Sequence, residues 1–384
     1  MNTKQYGAVS LFIVIFSMLL ITIVTVSFIR IMLQDQQQAS TQDLSQSAYD
    51  SAQAGVEDAK RAILQYQSIC ATGTQTACDN AAAVLKSTDC NAGLAGIQTY
   101  VPGSEVQVQQ TQSAGDVSLN QAYTCVTINL QTPDYIGVLP ANASKVIPLV
   151  VPAGSTFNTV TIQWFASQDL GASSDSTVDL QPLNSTVTPL LTTWPANRPS
   201  VMRAELMQVG GSFTLNSFDN SAGAQSDVNT LFLYPSANQA DTQTSFTVDQ
   251  RKTKNALSGA QLVTCKASLS SGGYACSINI TLPDPINGGA RTAYLRLTPL
   301  YNKTNYKVIL SNGDVTKPTL FDGVQPEVDS TGRANDLFRR VQSRVEVVDP
   351  AFPDATVDIT GSFCKDFSVT NLTADYSQSS ACSP

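Results

Sequence analysis

The stretch Ala8–Ile29, AVSLFIVIFSMLLITIVTVSFI, decides how the rest of the 384-residue chain is read. It carries no charge, and as a helix rising ~1.5 Å per residue it covers roughly 33 Å, enough for the hydrocarbon core of a bilayer. Lys4 precedes it and Arg30, then Asp35, follow, which weakly favours a cytoplasmic N-terminus and an exported body. A cleaved secretory signal has an apolar core of ~7–15 residues ending at a small-residue cleavage site. This run is longer, and no Gly or Pro interrupts 8–54, so helix is predicted to continue well past the membrane. There Leu44, Ala48, Ala52, Val56, Ala59 and Ile63 recur at spacings of three and four, one apolar stripe on an otherwise polar helix. The expected element is a single helix over 8–66, bare in its first half and half-buried in its second. A simple membrane anchor with a helical stalk is the plainer reading of the same pattern.

Composition narrows the chemistry. Only 14% of residues are charged, against ~25% in typical soluble proteins, so Ser, Thr, Asn and Gln cover the surface. Net charge is -8 with no basic run, so no nucleic-acid partner is expected. Histidine is absent, which removes Ser-His-Asp and Cys-His nucleophiles and His-ligated metal centres. No phosphate-binding glycine loop is present, no cofactor is expected, and nothing singles out a pair of catalytic carboxylates. The expectation is a chain that is not an enzyme. Asp219, Asn220, Asp227 and Asn229 could line a calcium loop, but such residues more commonly build turns.

The eight cysteines contain no CxxC pair and read as disulfides of an oxidising compartment. Cys265 and Cys276 lie symmetrically about Ser270-Ser271, as opposed residues of a hairpin do. Cys364 and Cys382 could close a C-terminal loop.

Beyond Pro102 the period changes to two. Val106 and Val108, then Thr124, Val126, Ile128 and Leu130, and finally Val341, Ser343, Val345 and Val347 alternate with polar neighbours, the pattern of half-buried antiparallel strands. Between them KVIPLVV, TVTIQW, RAELMQV, TLFLY, ACSINI, TAYLRL and YKVIL are short strands separated by turn residues, which suggests a jelly-roll-like β-sandwich. Trp164 lies in one of these strands and is expected in a core, whereas Trp194, in TTWPANRP, is expected to be exposed. Arg333, Arg339, Arg340 and Arg344 form the one dense basic patch, either a solvated face with local ion pairs or a contact for a neighbour. The fold class expected is α+β, with the long helix on an antiparallel sheet. In that reading residues 67–140 and 320–384 form a head, and 141–319 is a sandwich inserted into it. A serial arrangement of two β domains fits the same strands.

Three local patterns carry a resemblance. The polar leader MNTKQYG ends in Gly7 immediately before the apolar run. The block Ala48-Tyr49-Asp50-Ser51-Ala52-Gln53-Ala54-Gly55-Val56-Glu57-Asp58-Ala59 has the form A-x-x-x-A-x-A-G-x-E-x-A. Ser330-Thr331-Gly332-Arg333 precedes Phe338-Arg339-Arg340-Val341, an STG…RRV turn-and-strand. In this order they resemble PilX-like minor pilins and the tip pseudopilin of type II secretion. The resemblance implies a leader over 1–7, cut by a prepilin peptidase between Gly7 and Ala8, and a helix that leaves the bilayer to pack among other pilin-like subunits. Major pilins usually carry Glu at the fifth mature residue; here that position is Phe12, and in the families it resembles such a loss suits a subunit at a filament tip. The expected location is a single-pass cell membrane with an exported body, then the cell surface or pilus. An uncleaved, anchored surface protein whose sandwich binds a glycan or another protein is the alternative.

Overall fold

The computed structural model describes residues 7–95, 104–108, 120–171, 176–180, 194–209, 228–237, 242–246, 260–287, 292–314 and 316–346. Helix α1 (Gly7–Thr72) runs unbroken for 66 residues, about 100 Å at the helical rise. It extends six residues past the limit read from the sequence, because the first helix-breaking signal after the stripe that takes effect is Gly73. Thr74 then caps α2 (Gln75–Leu85), its hydroxyl accepting from the Ala77 N–H at 3.3 Å, and the Cys70–Cys78 disulfide staples the two helices across that break.

The second half of α1 lies on a four-stranded antiparallel sheet of order β1 (Val106–Gln107), β2 (Gln121–Thr132), β14 (Phe321–Ala334) and β15 (Leu337–Arg344). The predicted stripe is the face that meets it: Ala48, Ala52, Val56, Ala59 and Ile63 are buried, and Leu44 is half-buried at the margin. Val56, Ala59 and Ile63 join Tyr123, Val126, Ile128, Leu130 and Val328 in one apolar core. Burying a side chain the size of Val56 or Ile63 contributes about 1.5–3 kcal/mol each, so this contact suffices to fix the helix axis on the sheet. The Cys90–Cys125 disulfide ties the segment after α2 to β2.

Between β2 and β14 the chain builds two further sheets. One has the order β13 (Pro318–Thr319), β12 (Thr304–Ser311), β5 (Thr156–Ala166), β10 (Tyr274–Asn287) and β8 (Gln243–Ser245), with β3 (Tyr135–Leu139) also on β12. The other runs β4 (Lys145–Pro148), β11 (Thr292–Leu300), β6 (Val201–Val209), β7 (Val228–Ser236) and β9 (Gln261–Thr264). All seven strands read from the sequence in this region are present. Pairing is antiparallel except β8 on β10 and β9 on β7. Both sheets contribute to one buried cluster, with Ile162, Trp164, Ile278 and Val308 from the first and Leu206, Leu233, Leu295 and Leu297 from the second. The Trp164 indole N–H donates to the Ser200 carbonyl at 2.9 Å, just before β6.

Tyr135–Leu139, grouped with the head by the sequence reading, instead pairs with β12. The two crossings between the helix-bearing sheet and the others are short, and Thr132 and Phe321, where they begin, sit opposite each other. A bulge between Asp322 and Glu327 turns the Gln325 side chain onto β3. Its Oε1 accepts from the Ile136 N–H at 3.0 Å and its Nε2 donates to the Ile136 carbonyl at 2.7 Å. Tyr135 stacks on Tyr306 with centroids 6.2 Å apart, meets Phe321 at 6.4 Å, and donates to Glu346 Oε1 at 2.9 Å. Asp134 pairs with both Lys307 at 2.8 Å and Arg344 at 3.1 Å.

Burial, followed by nearby Tyr306 and Glu346, pushes the Tyr135 hydroxyl far above its ordinary value, and burial does the same to Tyr306. A raised folded-state value means stability that is complete below about pH 10 and falls as pH rises beyond it, because only the unfolded chain readily ionises these phenols. Tyr135→Phe should cost about 1 kcal/mol near pH 8 through the lost hydrogen bond yet flatten the alkaline decline. Urea unfolding of the detergent-solubilised chain at about pH 8 and about pH 11 checks this; parallel losses in both proteins would contradict it.

Candidate functional site

The feature that sets this molecule apart is the half of α1 that no described residue covers. Every described side chain from Leu11 to Leu33 is exposed, Phe12 at 71%. The helix is long and apolar enough to cross a membrane. Its hydroxyls suit such a setting: Thr22 Oγ1 donates to the Leu19 carbonyl and Thr25 Oγ1 to the Ile21 carbonyl, each at 2.8 Å, so neither is left unsatisfied in an apolar medium. Arg30 is the first charge after the run. Gly7 and Ala8 occupy the first turn of α1, while residues 1–6 lie outside the described residues.

The seat of the covered half is unusually close. At Gly332 on β14 an added Cβ would overlap the Ala52 backbone nitrogen and the Ala48 carbonyl oxygen. At Gly55 it would overlap the Ser330 hydroxyl and come 2.8 Å from Val126 Cγ2. The two glycines, with Ala48 and Ala52, let helix and strand backbones touch. The two patterns quoted above, separated by some 280 residues in the chain (Ser330 against Ala48 and Gly55), meet face to face. Beside them Asp58 is buried, accepting from the Tyr123 hydroxyl at 2.8 Å and from Arg61 at 3.0 Å.

The basic patch resolves into partners. Arg333 forks onto Glu105 at 2.9 Å and Arg340 Nε donates to Asp329 at 2.7 Å. Arg344 pairs with Asp134 and with Glu327 at 3.0 Å. Arg339 Nε reaches α1 itself, donating to Ser45 Oγ at 2.8 Å. The hydrogen bond from Arg333 holds the Glu105 carboxyl below the usual carboxylate range. These arginines therefore tie strands together and brace the helix at the point where it leaves the sheet.

Cys265 and Cys276 are bonded and directly opposed, as their symmetry in the sequence predicts; Cys364 and Cys382 lie outside the described residues. Cys70–Cys78 and Cys90–Cys125 were not paired from the sequence. Trp194, expected to be exposed, is only 6% so. It is stacked on Tyr301 at 4.2 Å, meets Tyr234 edge-on at 6.1 Å, and carries the Arg198 guanidinium 5.0 Å over its ring. Of the residues weighed for calcium, Asn229 is buried in β7 and the other three lie outside the described residues. No group of three metal-ligating side chains occurs among the described residues. Comparison with protein-family models, curated proteins and solved structures returns no match to this chain.

Gly332→Ala should destabilise the helix seat by about 1–3 kcal/mol, as overpacking against a fixed backbone does, with the loss appearing in the denaturation midpoint of the full chain in detergent. Gly154→Ala, at a turn with open space around it, tests only backbone strain and serves as the comparison; equal effects would show that close packing at Gly332 is unimportant.

Proposed function

We propose that this chain is a pilin-like subunit of a type IV pilus or a related filament, placed at or near the tip. The observation that carries the reading is one continuous helix, naked and membrane-length in its first half, seated in its second half on a sheet through Ala48, Ala52 and Gly55 against Ser330 and Gly332. A helix of this form has two apolar environments open to it: lipid before assembly and the helices of neighbouring subunits afterwards. Between lipid-like surroundings, association rests on packing rather than on removal of apolar surface from water, which makes Phe12 and its neighbours the assembly surface. Phe12 also leaves the membrane segment without a buried carboxylate, whose cost in lipid would need a partner.

In this reading β1, β2, β14 and β15 form the head, and the two sheets between β2 and β14 are an inserted β-sandwich displayed away from the membrane for adhesion. The partners are other pilin-like subunits, the bilayer and a prepilin peptidase acting between Gly7 and Ala8. The alternative, an uncleaved anchored protein that uses the same sandwich to bind a surface glycan or protein, is supported by the same exposed helix.

N-terminal sequencing of the protein from membrane and sheared-filament fractions separates the two. A start at Ala8 in the filament fraction, abolished by replacing Gly7 with a bulky residue, is the expected result. A start at Met1 confined to membranes would refute assembly and leave the anchored binding protein.

A further inference from the structure

The outward face of the sheet built on β5, β10 and β12 is polar where its inner face is core. Cys276, Ile278 and Ile280 of β10 are buried, so Ser277 and Asn279 project from the other side; Ile162 and Trp164 fix Gln163 likewise on β5, and Tyr306 and Val308 fix Lys307 on β12. Strand register sets Lys307, Gln163 and Ser277 side by side across three strands, with Asn279 one step along β10 beside Gln243. The chain flanking the Cys265–Cys276 disulfide raises one wall over this row, through Lys266 and Tyr274, and Thr242 stands on the other. Together they line a half-open cleft of about 570 Å³, within the range of small-molecule sites.

Its chemistry is specific. The described lining offers two amides, three hydroxyl side chains besides the Tyr274 phenol, and two lysines, with no carboxylate among those described residues, in a chain whose net charge is -8. Lys307 is held in place by Asp134 at 2.8 Å, and Lys266 is exposed at the rim. The polar groups are oriented before any ligand arrives. Thr161 Oγ1 donates to Asn279 Oδ1 at 2.8 Å, which leaves the amide NH2 as the polar group Asn279 can offer, and Gln163 Nε2 reaches Ser277 Oγ at 3.4 Å. The Tyr274 hydroxyl rests on the Tyr306 carbonyl at 3.5 Å, which steadies its ring as a wall. The disulfide fixes that wall to the sheet, so little ordering entropy remains to be lost on binding.

We propose that this cleft binds a carboxylated sugar, with the carboxylate on Lys266 and the ring hydroxyls on Gln163, Ser277 and Asn279. An amide-and-hydroxyl floor satisfies hydroxyls in both directions, the Lys266 ammonium selects the anion, and an aromatic edge accepts the apolar face of a pyranose ring. The site sits on framework strands and is independent of how the N-terminus is processed.

The test is calorimetric titration of the full chain in detergent with a glucuronate-terminated oligosaccharide and with its neutral glucose counterpart. Saturable binding of the acidic sugar is expected, with the neutral one about tenfold weaker, the loss expected for one charge-assisted hydrogen bond. Lys266→Glu and Asn279→Ala should each weaken acidic-sugar binding about tenfold or more, and Lys266→Glu, at an exposed side chain, should do so while leaving the urea midpoint unchanged. No saturable binding, equal binding of the two sugars, or unaltered affinity in both variants would overturn the proposal. None of these results bears on whether the protein starts at Ala8, so the two readings fail separately.

Discussion

The close approach of α1 to β14 at Gly332 is the contact on which the rest of this structure depends. With no Cβ on the strand and only methyl groups at Ala48 and Ala52 on the helix, the two backbones meet directly, and dispersion contacts accumulate along the whole covered face. That seat orients the axis of a helix about 100 Å long, so it also dictates where the uncovered half projects. Arg339, bonded to Ser45, marks the boundary between the two halves. Below that point the helix has no described partner in its own chain, and its apolar surface is long enough to cross a membrane.

Much of this was legible because helix and strand periods are local properties of a sequence. The stripe from Ala48 to Ile63 was readable from spacing alone, and it is the face that packs. The strands around Trp164 and Ile278 were readable for the same reason. What spacing could not supply was which distant segments meet. That Gly55 would face Ser330, and Gly332 face Ala52, follows from tertiary packing across most of the chain. The two motifs could be quoted, but their contact could not be deduced from either one.

The misreading of Trp194 has the same origin. TTWPANRP has the composition of an exposed turn, yet the indole is enclosed by Tyr301, Tyr234 and Arg198, none of which is near enough in sequence for the turn signal to register them, save Arg198. Pro195, three residues before that arginine, says nothing of the stacking partner a hundred residues on. Likewise β3 reads as a continuation of β2, because only the turn at Pro133-Asp134 and the pairing with β12 assign it to the other sheet. The cavity beside Cys265–Cys276 was invisible for a further reason: its lining comes from three strands and a hairpin, with no motif in any one of them.

The paired exit of the chain at Thr132 and Phe321 has a mechanical meaning. Because the outgoing and returning strands leave from one rung, a pull on the distal sheets divides between two neighbouring strands that run side by side into the helix-bearing sheet. The flanks from β14 to β15 and from β2 to β1 then resist by sliding of several hydrogen bonds at once instead of by opening them singly. The Gln325 clasp on Ile136 and the Tyr135–Glu346 bond lie at the mouth of that pair and stiffen it against bending. A pull on those sheets is thereby delivered, through two strands at once, to the sheet on which the long helix is seated.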